Sequence, residues 1–108
     1  MLTRRFSDQE ITRIREVAAV YECACPAQLG RQVAELRQLW AYQERCLNRT
    51  ELDRQVHERI CAALRVSHEA IEQALEEVLR LEGWDRERLE MPAALRERLL
   101  AQGEPPRD

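Results

Sequence analysis

Four cysteines and two histidines hold most of the reactive chemistry of this 108-residue chain, and their spacing decides which reactions are open to them. The run Cys23-Ala24-Cys25-Pro26 is the most unusual. Proline suits the first position of a helix, and a thiol just ahead of it faces unsatisfied backbone N–H groups at the positive end of the helix dipole. That setting stabilises a thiolate and favours redox or metal chemistry. The pair is nevertheless one residue short of the C-x-x-C spacing shared by thioredoxin-like motifs and zinc knuckles, and a disulfide across it closes a strained small ring. Two small buried residues at a crowded turn are the plainer expectation.

A second constellation comes from His57 and Cys61, four residues apart and so on one helix face, with Cys46 about one turn away in height across a helical hairpin. These three could form a soft nitrogen–sulfur site for zinc or copper(I), completed by water or a partner. Cys25 and Cys46 stand about 31 Å apart on one helix, which keeps the four cysteines from sharing one metal within a chain. Only two subunits, each lending Cys23 and Cys25 across a two-fold axis, would gather four. The candidate metal ligands are thus Cys23, Cys25, Cys46, His57 and Cys61, set against a simpler reading with no cofactor, in which Cys61 packs in a row with Leu64, His68, Ile71 and Leu75.

Enzymatic chemistry finds less support. One helix face offers a Cys61–His57 pair no oxyanion hole, and only Glu58 or Asp53 could orient the ring. The carboxylate pairs Glu69/Glu72, Glu76/Glu77 and Glu87/Glu90 lack the Glu-X-X-His pattern of di-iron bundles and read as a solvated face laced with arginine pairs such as Glu76/Arg80. All 17 basic residues are Arg, so lysine-dependent phosphate loops and Schiff bases are excluded. Three scattered glycines build no dinucleotide loop.

A net charge of −3 lacks the positive excess that phosphate backbones require, so no nucleic-acid partner is expected. The content of 44% hydrophobic and 34% charged residues is too apolar for a disordered tail and too charged to cross a membrane. No apolar run follows Met1–Phe6, which predicts a soluble cytoplasmic chain with reduced thiols. Acids outnumber arginines mainly after residue 54, a slight preference for a basic partner there.

The elements that must position these residues are helices. Ser7-Asp8-Gln9-Glu10 forms a capping box, followed by a row of Ile11, Ile14, Val17, Ala18 and Tyr21 that ends near Cys23. A second helix is predicted from about Pro26 to Leu47, on Leu29, Val33, Leu36, Trp40 and Leu47. Thr50 or Asn48 caps a third, whose longest row is Leu52, Val56, Ile60, Ala63, Ser67, Ala70, Ala74, Val78 and Leu81. Gly83 ends it, with Trp84 folding back as the hydrophobic contact of the cap. A short segment from Pro92 to Ala101 follows, stopped by Gly103 before a flexible tail at 104–108.

The predicted fold is all-α: an up-down-up antiparallel three-helix bundle with a short C-terminal fourth helix, one domain over 1–103. A third helix of about 50 Å overhangs its neighbours, and either the fourth helix or a second copy must cover it. Trp40 and Tyr42, beside Arg37 and Arg45, have the composition of a protein interface, and Leu95 and Leu99 supply further apolar contacts. The expected function is a non-catalytic interaction or accessory module acting through a homodimer or a partner protein. The alternative is a metal-binding or redox-sensing thiol site at the Cys23-X-Cys25-Pro26 turn.

Overall fold

The computed structural model describes residues 1–21 and 25–103, so the expectations for Cys23 and for the tail at 104–108 lie outside the described residues. Four helices follow in order: α1 (Asp8–Ala19), α2 (Cys25–Arg45), α3 (Glu51–Glu82) and α4 (Ala93–Gly103). Among the described residues there is no strand, only an isolated bridge between Asp85 and Glu90. The all-α bundle with a short C-terminal helix is therefore observed. α1 and α2 each stop about half a turn before the last residue of their sequence pattern, as helix ends commonly do.

Local chemistry sets the ends. The Ser7 hydroxyl accepts from the Glu10 amide while the Glu10 carboxylate accepts from the Ser7 amide, and Thr50 and Asp53 repeat the arrangement at α3. Of the two candidate caps, Thr50 is the one used. At the far end Gly83 takes φ 77°, its amide donates to the Arg80 carbonyl, and the Trp84 amide donates to that of Leu79. This pair of hydrogen bonds satisfies carbonyls of the last turn and turns the Trp84 indole back into the core. Leu89 also takes a left-handed φ of 55°; burial of its side chain offsets that strain.

α2 packs between α1 and α3 and runs antiparallel to both: Gly30 meets Ile11 and Arg15, Arg37 reaches Asp8, and Gln43 faces His57. The molecule measures 59 × 35 × 19 Å. Its larger core joins Phe6, Ile14 and Val33 to Leu75, Leu79 and Trp84, and the fourth helix closes it with Leu95 and Leu99. A smaller cluster of Leu2, Trp40, Cys61 and Leu64 lies toward the α2–α3 turn. Beyond it the hairpin tip projects with Leu47, Leu52 and Val56 exposed.

Of the two rows on α3 the shorter one faces the core: Cys61, Leu64, His68 and Leu75 are buried with Ile71 half-buried, as the packing reading of Cys61 expects, and Glu72 and Leu79 join them. The longest row, from Leu52 to Leu81, is exposed except at Ile60, Ala74 and Val78, which are half-buried. Leucines at 64, 75 and 79 remove more apolar area from water than alanines at 63, 70 and 74, which favours this rotation of the helix. It takes His68 and Glu72 inside, and the fold must compensate them.

Candidate functional site

Three places stand out: two bring polar or reactive side chains together, and the third leaves apolar ones exposed. The first is the interior of the bundle, where Glu72 and His68 on α3, each 1% exposed, meet Arg37 on α2. Arg37 Nη2 donates to Glu72 Oε2 at 2.9 Å and to the Phe6 carbonyl at 2.6 Å; Nη1 donates to Asp8 Oδ1 at 2.7 Å, and Nε to His68 Nε2 at 3.0 Å. Glu72 also accepts from the backbone amides of Arg5 and Phe6. Among the described residues no buried side-chain polar atom is left without a partner.

The electrostatics follow from that packing. His68 must be neutral to accept from Arg37. Burial lowers its pKa below the ordinary histidine value; Glu72 opposes the shift, and the charges of Arg37 and Arg4 reinforce it. The hydrogen bond from Arg37 holds the Asp8 carboxyl below its usual range. Arg37, His68 and Glu72 are buried while Asp8 stands at the surface, and the geometry ties the segment before α1 to α3. Arg86 adds a second tie, resting 4.1 Å over the Phe6 ring and donating to Glu76 and Glu10. Glu72 is thus a core residue instead of part of a solvated face, Arg37 is buried instead of lining an interface, and Arg80 pairs with Glu77 instead of Glu76.

The second place is a shallow hollow at the α2–α3 hairpin lined by Trp40, Glu44, His57, Glu58, Cys61 and Arg65. His57 Nδ1 lies 3.1 Å from Gln43 Oε1, and its Nε2 lies 3.6 Å from Cys61 Sγ. With the Gln43 oxygen accepting, Nδ1 carries the proton and Nε2 faces the thiol. The i, i+4 spacing therefore does bring His57 and Cys61 together. Cys46 sits exposed past the end of α2, and Cys25 is the exposed first residue of that helix. Among the described residues no three His, Cys, Asp or Glu side chains converge in a way that could hold a metal ion. The hollow has two soft donors and no third.

The third place is the outer face of α3. Leu52, Val56, Val66 and Leu81 are 67%, 50%, 71% and 72% exposed, with Ala63 and Ala70 exposed between them. Of the four interface residues expected from sequence, Tyr42 is exposed at 57%, whereas Trp40, Leu95 and Leu99 are buried within their own chain. Trp40 stacks under the Arg65 guanidinium, 5.2 Å from the ring centroid. Leu95 and Leu99 were the apolar residues of α4 with a core to close, and they close it.

The buried Arg37, His68 and Glu72 cluster was missed from sequence. A signal existed: Arg37 falls in register between Val33 and Trp40, and His68 and Glu72 fall in register among Leu64, Leu75 and Leu79, so complementary polar residues interrupt two facing apolar rows.

No protein-family model, curated protein or solved structure matches this chain. No helix among the described residues is long and apolar enough to cross a membrane.

Proposed function

We propose that this chain is a non-catalytic helical interaction module whose docking surface is the outer face of α3. One observation carries the reading: large apolar side chains at Leu52, Val56, Val66 and Leu81 stand at least half exposed along a single 32-residue helix, opposite the row that builds the core. Large apolar side chains left exposed along one helix face, rimmed by polar ones, mark a site of association. Tyr42 and Leu39 on α2 extend the exposed apolar surface of the hairpin. The buried ion cluster contributes rigidity: it fixes the segment before α1 and the rotation of α3, and so fixes which face points outward.

Photo-crosslinking in the cells that make the protein tests this reading. A photoreactive residue at position 66 is expected to give discrete protein adducts, and the same residue at exposed Gln28 on α2 is expected to give none. Absence of adducts at 52, 56 and 66, with the chain folded, overturns it.

A further inference from the structure

We propose that the occupant of the outer α3 face is a second copy of the chain, packed antiparallel about the level of His68. This rests on the interaction-module reading above and adds the partner and its register. The exposed positions Leu52, Val56, Arg59, Ala63, Val66, Ala70, Gln73 and Glu77 alternate spacings of four and three, the period at which one helix face meets another along a seam. Two charges interrupt these eight positions, one of each sign, before the period reaches Arg80 near the end of the helix; Arg59 and Glu77 each lie nine residues from His68, on opposite sides of it. In an antiparallel pair related by a two-fold axis at that level, each Arg59 faces the other copy's Glu77. A partner of unrelated sequence has no need of that symmetry, whereas self-pairing requires it.

The sizes along the seam agree with the charges. The same level sets Val66 against Ala70 of the second copy, large against small, and sets Val56, half exposed in its own chain, against the aliphatic stem of Arg80, one residue from the other copy's Leu81. The 32 residues of α3 are centred almost at this level, so the register uses nearly the whole helix. Arg59 has no acidic partner within 4.0 Å among the described residues, and Glu77 is engaged only by exposed Arg80 on its own helix. Both charges are therefore accessible to a second copy. A parallel pair would instead set Arg59 against Arg59 and Glu77 against Glu77.

Sedimentation of the purified full chain over a range of concentrations tests the proposal, with helicity of each variant checked by circular dichroism. The expected mass is twice the 12.7 kDa of one chain. Arg59→Glu and Glu77→Arg should each weaken self-association by about tenfold or more, and the double variant should recover most of that loss. Val66→Glu should leave a folded monomer. A wild-type chain that stays monomeric at every concentration overturns the self-pairing. If adducts at position 66 persist in cells in that case, the module reading stands without it. A dimer indifferent to both charge reversals overturns the antiparallel register.

Discussion

The two long faces of α3 share a period and differ in what they do. One carries Cys61, Leu64, His68, Glu72, Leu75 and Leu79 into the bundle, and the other carries Leu52, Val56, Ala63, Val66, Ala70 and Leu81 to the surface. The inward face is the more polar of the two in its middle. It is buried because partners elsewhere in the chain meet it: Arg37 donates to His68 and Glu72, the amides of Arg5 and Phe6 donate to Glu72, and the backbone of Thr3 hydrogen-bonds His68. The outward face has no such obligation and, among the described residues, stands at least half exposed at Leu52, Val56, Val66 and Leu81. A helix can thus leave a face that carries several large apolar side chains exposed when the alternative face buries larger side chains and a satisfied polar network.

The strongest way to break this contrast is to strip Glu72 of its cation. Arg37→Ala leaves a buried carboxylate unpaired and should cost about 3–5 kcal/mol in urea denaturation. A loss near that of a surface substitution would mean the inward face does not depend on the ion cluster. Truncation of an inward leucine, Leu75→Ala, should cost about 2–5 kcal/mol by the same measurement.

Acid sharpens the contrast on the inward face alone. His68 is neutral in the fold with its pKa depressed, whereas in the unfolded chain it takes its proton near pH 6.5. The unfolded state therefore binds the proton first as pH falls. Stability is full above about pH 6.5 and declines through the window between the unfolded value and the lower folded one. Urea midpoints measured across that window should show the slope in the wild type and a flatter profile in His68→Gln.

Smaller effects are expected away from the two faces and on the outer one. Gly83→Ala forces a side chain into a left-handed turn and should lower stability by about 1–2 kcal/mol, read from a thermal melt. Val66→Ala should change the stability of the single chain by no more than about 0.5 kcal/mol. If Val66→Ala cost the folded monomer as much as Leu75→Ala does, the outer face would belong to a core and the contrast would fail.

Legibility in the sequence followed the range of the interactions. The capping box at Ser7 and the glycine stop at Gly83 with its Trp84 return involve neighbours within a few residues and were readable as short patterns, whereas at the start of α3 a cap was readable but Thr50 and Asn48 were both open. The His57–Cys61 contact was readable for the same reason, because i, i+4 geometry belongs to any helix. The placement of Trp40, Leu95 and Leu99 was not, since an apolar residue on a helix serves a core or an interface equally well until its neighbours are known.

The sequence by itself determined four helices, their order and most of their ends, because hydrogen bonds within a helix and its caps are local. It also wrote two apolar rows into α3 without saying which one faces inward. Only the tertiary structure decided that. The rotation of α3 depends on Arg37, Arg5 and Phe6, which lie 31 to 67 residues away from the polar groups they satisfy. A period along one helix contains no record of partners that distant.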